Sequence, residues 1–205
     1  MGNNIKKNKI IVIVGFSNTG KDSVSMKIAK EHGYNFIIST TTRPIREYES
    51  QKNPYNFVGD EEFQKLIKND MLIEYRAYNA LLNNIPSTWY YGVENKEVDP
   101  SKDYIVVLDI VGLRGFKEKF KDNIISFFLE ADEDTRKQRC INRGDFNEFE
   151  WNRRLEDDKT RFTKEIIYNE LDFVVDSYNI EETAKEIMDC IKFAKEKGVY
   201  NNNGK

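Results

Sequence analysis

The chain has little of what several functional classes require. It holds two cysteines, Cys140 and Cys190, far apart and with no C-x-x-C pair. Number alone then excludes a disulfide framework or a zinc knuckle. A single histidine, His32, excludes a His-rich metal cage, and any Ser-His-Asp triad would have to use it. No apolar run approaches the roughly 20 residues that span a bilayer; the longest goes from Ile10 to Val14. The first residues, MGNNIKKNK, are positive but have no signal-type apolar region behind them. A basic excess is missing too: the net charge is −3, whereas duplex-binding proteins usually carry a surplus of Lys and Arg. The expectation is a cytoplasmic chain with no nucleic-acid and no membrane partner. What is plentiful is core material: aromatics make up 13% of the residues, which excludes global disorder. At roughly 150 residues per domain, 205 residues predict one domain, with room for an inserted subdomain.

Along the chain, strand and helix patterns alternate. Lys9 to Gly15 is a continuous β-branched run, the signature of a buried parallel strand. A helix follows from Asp22 to about Glu31, stopped by Gly33. A second strand covers Phe36 to Ser39. Residues 40–56 are polar and irregular. A short strand is expected at Tyr55 to Val58 and a helix at Asp60 to Lys68, where Phe63, Leu66 and Ile67 share a face. Met71 to Tyr78 reads as a strand, 79–88 as a loop, and Trp89 to Val93 as another strand. Alternation resumes with strands at Tyr104 to Ile110 and Ile124 to Leu129. Helices are expected at Leu113 to Phe120, Asp132 to Asn142 and, as one long charged element, Glu148 to Asn169. A last strand at Phe173 to Val175 and a last helix at Ile180 to Lys197 complete the pattern. Strands alternating with helices predict an α/β fold, three layers α/β/α, with a parallel sheet core. The tail from residue 199 to 205 reads as disordered. His32 reads as structural, at a helix end that favours a positive imidazole, and the cysteines as small buried apolar groups.

One motif carries specific chemistry. Gly15-Phe16-Ser17-Asn18-Thr19-Gly20-Lys21 fits GxxxxGK, with a buried strand before it and a helix after it. Glycines let successive backbone N–H groups point inward at phosphate oxygens. The helix adds its positive end, and Lys21 a point charge. The next position normally supplies a hydroxyl to Mg²⁺; here it is Asp22, a carboxylate that suits the same ion directly or through water. Ser23 is one residue late and points about 100° away on a helix.

Residues 39–58 read STTTRPIREYESQKNPYNFV. Arg43 and Arg46 in one loop, near Tyr55, make a plausible grip on a dianionic phosphate. With the phosphate loop before it, this stretch resembles guanylate kinases, through Ser39, Thr41, Thr42, Arg43, Arg46, Glu49, Tyr55, Phe57 and Val58. Further matches follow in order: Ile73-Glu74-Tyr75, Tyr90-Tyr91-Gly92, Leu108-Asp109-Ile110, Arg139 to Gly144, and Arg153-Arg154-Leu155. The resemblance covers roughly residues 9–190.

The resemblance implies ATP-dependent phosphorylation of a nucleoside monophosphate, most simply GMP or dGMP. It implies a core at 9–38, 102–135 and 165–198, a small mostly-β monophosphate-binding insert at 39–95, and a helical lid at 136–160. ATP would lie on Gly15, Ser17, Asn18, Thr19, Gly20, Lys21, Asp22 and Ser23, with Arg139 nearby. The acceptor phosphate would meet Arg43, Arg46, Tyr55 and Tyr91, beside Gly92. Glu74 would accept from the guanine N1–H and amine, and Ser39 would donate to its oxygen. Lys21, Arg43, Arg143 and Arg154 would spread the transferring charge; Asp22 and Asp109 would hold Mg²⁺ or its waters. Arg136 and Arg153 read as ordinary helix-face charges. The partners would be small nucleotides, on a monomer or a homodimer.

Four features depart from the family pattern. Val93 replaces a Ser or Thr, Val111 replaces a second aspartate, the segment before Tyr90 is longer, and Asp22 follows Lys21. A G-K-D loop is similar to that of some phage-type and bacterial relatives. Two alternatives therefore stay open: a deoxynucleotide kinase with altered base choice, and a guanylate-kinase-like binding module. The intact Gly15, Gly20 and Lys21 speak against the second.

Overall fold

The computed structural model describes residues 9–46, 49–82, 85–99, 101–144 and 146–197; the expected disordered tail lies outside them. In chain order the elements are β1 (Ile10–Gly15), α1 (Lys21–His32), β2 (Asn35–Phe36), β3 (Thr40–Thr41), β4 (Asn56–Phe57), α2 (Asp60–Lys68), β5 (Leu72–Leu82), β6 (Ile85–Glu94), β7 (Tyr104–Val107), α3 (Ile110–Phe120), β8 (Ile124–Glu130), α4 (Glu133–Asn142), α5 (Glu148–Arg161), α6 (Lys164–Glu170), β9 (Phe173–Asp176) and α7 (Ile180–Glu196).

The β-branched run of β1 is buried along its whole length. A strand with apolar side chains on both faces must be covered on both. Its alternate residues accordingly belong to two clusters. Ile10, Val12 and Val14 pack with Ile110, Leu113 and Phe116 of α3 and with Phe162 and Ile167. Ile11 and Ile13 pack with Val24 and Ile28 of α1 and with Ile187 and Ile191 of α7. Each such fully buried side chain contributes about 1.5–3 kcal/mol. The core sheet is parallel, in the order β2-β7-β1-β8-β9, with β1 at its centre. The α/β fold with a parallel core is therefore as expected.

A second sheet, ordered β4-β3-β6-β5, lies in sequence between β2 and β7. Here the structure corrects one expectation. Where a loop was expected over 79–88, β5 continues to Leu82 and β6 begins at Ile85, and the two pair antiparallel from Glu74↔Val93 to Leu82↔Ile85. The extension tolerates Pro86 because β3 pairs with β6 only at Tyr91 and Gly92, so β6 has β5 alone beside it there. The polar stretch after β2 also holds β3, which the sequence pattern did not suggest.

Two boundaries moved for capping reasons. The strand expected to reach Ile110 stops at Val107, because the Asp109 carboxylate accepts the Gly112 N–H at 2.8 Å and starts α3. The single helix expected over 148–169 is two. Phe162 leaves helical geometry and buries its ring, and Thr163 caps α6 by accepting from the Ile166 N–H. Gly33, in the left-handed conformation, ends α1 as expected. Cys140 and Cys190 are free thiols, one buried and one half-buried. No helix among the described residues is long and apolar enough to cross a membrane.

Candidate active site

A cavity of about 450 Å³ opens at the C-terminal end of β1, between the phosphate loop, the second sheet and α5. In an open parallel sheet this is where ligands bind.

The loop wall is tightly built. A Cβ on Gly15 would come within 2.4 Å of the Leu129 carbonyl oxygen, so the turn out of β1 admits only glycine. Gly20 has φ 89°, the left-handed region, immediately before α1. Thr19 is buried and donates to the Phe16 carbonyl at 3.0 Å. Its own carbonyl accepts from Ser177 Oγ at 2.6 Å and Arg139 Nη1 at 3.1 Å. Arg139 also grips the carbonyls of Ser177 and Tyr178, at 2.7 and 2.9 Å. Lys21 folds its ammonium over the loop onto the carbonyls of Gly15 and Phe16, at 3.0 and 2.7 Å. Burial lowers its pKa, partly opposed by Asp158 and Asp22. Asn18 lines the cavity, and its Nδ2 is buried with no hydrogen-bond partner among the described residues. A buried donor left open in a phosphate loop is suited to an anion.

Gly15, Ser17, Asn18, Lys21, Asp22 and Ser23 thus line the cavity, whereas Thr19, Gly20 and Arg139 do not. Thr19 and Arg139 brace the loop from behind.

Opposite stand Arg43, Arg46, Tyr55 and Tyr91. Arg43 is buried and held by a fork of two hydrogen bonds to Glu49, at 3.0 and 2.8 Å. Its guanidinium also lies 5.6 Å from the Tyr55 ring centre and 5.3 Å from that of Phe57. Tyr91 meets Tyr55 on one side and Tyr78 on the other, edge to face. Burial pushes the Tyr55 hydroxyl well above its usual range, so it stays a donor. Arg143, Arg153 and Arg154 close the cavity from α4 and α5. Glu150 holds Arg153 and Arg154 at 2.8 and 2.7 Å. Arg153, expected to be a plain surface charge, therefore lines the cavity. Arg136 is not a surface charge either: it is buried, stacked 4.8 Å from the Phe16 ring centre and 3.3 Å from Asp158.

Asp109 differs from expectation. Its carboxylate accepts from the Gly112 amide and the Tyr78 hydroxyl and lies 3.1 Å from Arg76 and 3.4 Å from Arg161. Burial opposes ionisation, but Arg76, the Tyr78 hydroxyl and the Gly112 amide outweigh it and hold the carboxyl below its ordinary value. Asp109 is thus surrounded by donors and guanidiniums, and its geometry gives no support to the expected Mg²⁺ role. Asp22 is the opposite case. It lines the cavity, and no hydrogen bond or ion pair reaches it among the described residues. Burial raises its carboxyl, with Lys21 and Arg43 opposing.

A family profile described as guanylate kinase matches residues 7–194 of the chain. The chain belongs to the guanylate kinase family. It is 32% identical over 193 residues to a guanylate kinase of Clostridium tetani, covering 92% of this chain and 84% of that one. It is 31% identical to one of Prochlorococcus marinus strain MIT 9312, covering 90% and 97%. In structure it is similar to a guanylate kinase from Anaplasma phagocytophilum, with TM-score 0.65, 23% identity, and coverage of 96% and 91%. A gluconokinase from Sinorhizobium meliloti shares the fold at TM-score 0.53 and 17% identity, covering 95% and 98%.

Within this guanylate-kinase framework, three of the residues expected to bind the monophosphate do not line the cavity. Ser39, Glu74 and Gly92 lie outside its lining, and Val93 is fully buried in the core. Conversely Arg76, Tyr78, Trp89, Asp158 and Arg161 line it and were not singled out. The signal for two of them was present: Glu74, Arg76 and Tyr78 alternate on one face of a strand.

Proposed function

We propose that the chain transfers the γ-phosphoryl group of Mg-ATP to GMP, giving GDP and ADP. The observation that carries this reading is a single cavity with a GxxxxGK loop on one wall and the Arg43–Arg46–Tyr55–Tyr91 cluster on the other. Two phosphate-binding walls facing each other are what in-line transfer between nucleotides needs. The family of the chain favours this reading over a binding module or a pyrimidine kinase.

The attacking oxygen of a monophosphate is already an anion, so no general base is required. The protein's work is positioning and charge neutralisation. The loop amides and Lys21 hold the ATP phosphates. Arg43, Arg46, Tyr55 and Tyr91 hold the acceptor phosphate. Arg143, Arg153 and Arg154 neutralise the charge that moves between them, while closure of the segment 136–160 over core and insert excludes water. Asp22 fits Mg²⁺, since its half-buried carboxylate lines the cavity without a cation partner at hydrogen-bond distance. When bound, the ion would screen the phosphate charges and orient the β- and γ-oxygens.

Lys21→Met tests the reading. Loss of one charge-stabilising group of this kind costs about 10²–10³-fold in kcat. A variant that folds and keeps wild-type turnover would refute it.

A further inference from the structure

The phosphate loop keeps an asparagine where its backbone favours glycine. Asn18 has φ 64°, in the left-handed region. Asn visits that region more readily than most residues, but glycine does so at no steric cost. The flanking residues hold the backbone in place. Ser17 gives its N–H to the Asp158 carboxylate at 2.7 Å, and the buried Thr19 gives its hydroxyl to the Phe16 carbonyl at 3.0 Å. Asn18 carries a second cost. Its Nδ2, which has two hydrogens to donate, is buried with no hydrogen-bond partner among the described residues. An unsatisfied buried donor is destabilising, and native structures rarely keep one without a use. Glycine would relieve both costs at once. Strain and an open donor on one residue, inside a loop shaped for phosphate, call for a functional reason.

The other side-chain donors of the loop are engaged. Ser17 Oγ donates to Asp158, Thr19 Oγ1 to the Phe16 carbonyl, and Lys21 Nζ to the carbonyls of Gly15 and Phe16. The position of Asn18 says which phosphate it serves. The amides at the helix end of such a loop cradle the phosphates nearer the nucleoside. Asn18 lies at the other end, three residues before Lys21 and next to the Ser17 amide that α5 holds. It lines the cavity together with Arg143, Arg153 and Arg154, the groups placed around the transferring charge.

Resting on the kinase reading, we propose that Asn18 is a catalytic residue through its side chain, Nδ2 donating to a γ-phosphoryl oxygen of ATP. Lys21 lies folded across the loop; when it turns to the phosphates, the inner wall that carries Nδ2 is uncovered. The carboxamide is neutral, so it adds no charge beside Lys21 and the arginines, yet its bond to a phosphate oxygen is charge-assisted. ADP has no γ-phosphoryl group and gains nothing from this donor. The side chain therefore separates substrate ATP from product ADP and favours release after transfer.

Titration calorimetry measures the binding of Mg²⁺ with the β,γ-imido analogue of ATP, and of Mg-ADP, to wild type, Asn18→Gly and Asn18→Asp. The glycine variant keeps the backbone amide and suits the left-handed φ. The aspartate variant keeps the shape and turns the donor into an acceptor. Loss of a hydrogen bond to a charged group costs about tenfold or more. Asn18→Gly should bind the analogue weaker by that factor, with Mg-ADP affinity unchanged and kcat for GMP lowered. Asn18→Asp should bind the analogue more weakly still. A Tm of Asn18→Gly no lower than that of the wild type, without nucleotide, verifies its fold. Wild-type affinity of Asn18→Gly for the analogue, or an equal loss for the analogue and ADP, overturns the assignment to the γ-phosphoryl group. Absence of wild-type turnover with every monophosphate would instead refute the kinase reading, while the contrast between analogue and ADP would still decide on Asn18.

Discussion

The Asp158 carboxylate of α5 accepts the Ser17 backbone N–H of the phosphate loop at 2.7 Å, and the Ser17 hydroxyl at 3.3 Å. A side-chain anion thus holds an amide in a loop built for phosphate, while its other tie is Arg136 at 3.3 Å. Burial raises the Asp158 carboxyl, with the Ser17 amide and Lys21 opposing. A phosphate oxygen that bound the Ser17 amide would have to displace this carboxylate. Asp158→Asn removes the competing charge, and the ATP affinity should rise roughly tenfold, since two like charges a few ångströms apart repel by more than 1 kcal/mol near a protein surface. Equilibrium titration with an unhydrolysed ATP analogue measures it, and weaker binding would contradict the competition.

Asp22 carries a pH dependence of stability. Its folded-state carboxyl lies above the ordinary value because of burial. The folded state then binds more protons than the unfolded one, so stability falls as pH rises from the unfolded value of 3.8 through the raised folded one. Asp22→Asn lacks this cost. Its Tm should exceed that of the wild type at pH 8, and the gap should shrink toward pH 4. If Asp22 meets Mg²⁺, the wild-type Tm rises on adding Mg-ATP more than that of the variant. Thermal melts at several pH values, with and without Mg-ATP, decide both points.

Asp109 has the reverse sign. Its carboxyl is held below the ordinary value by Arg76, the Tyr78 hydroxyl and the Gly112 amide, against the effect of burial. It therefore stabilises the fold above pH 3.8, and that contribution disappears as pH falls through its lowered value. Asp109→Asn should cost about 3 kcal/mol at pH 7, as breaking a buried ion pair does. Urea denaturation at pH 7 and near pH 3 would show the cost at the first and a smaller one at the second. Equal costs at both would place the effect in packing instead.

Val93→Thr tests whether a hydroxyl here can restore base recognition. Val93 is fully buried in the core, so an unpartnered hydroxyl should destabilise by about 1–3 kcal/mol. Base preference should not change. A rise in the GMP/AMP ratio would mean that position 93 reaches the acceptor.

Much of the fold was legible because the β-branched runs Ile10–Val14 and Tyr104–Val107 are buried on both faces, and such strands have few alternative readings. The boundaries that failed were set by capping side chains, Asp109 and Thr163, whose effect depends on where the chain turns. The strand pairing of 79–82 with 85–88 was hidden because its stability lies in contacts between strands, not in local propensity. In the site, the phosphate loop and the Arg43–Arg46 cluster were legible as contiguous motifs. The meeting of Arg76, Tyr78 and Arg161 was not, because they converge on Asp109 from β5 and from the end of α5. Arg161 lies 4.5 Å from the Tyr78 ring centre, a contact no sequence spacing announces.

The central claim is most directly tested by ADP release from Mg-ATP with GMP, AMP, CMP, UMP and dTMP offered separately to the wild-type chain. The account predicts turnover with GMP that dominates the panel and is lost in Lys21→Met. Turnover with a pyrimidine alone, or ATP binding without turnover on any acceptor, would contradict it.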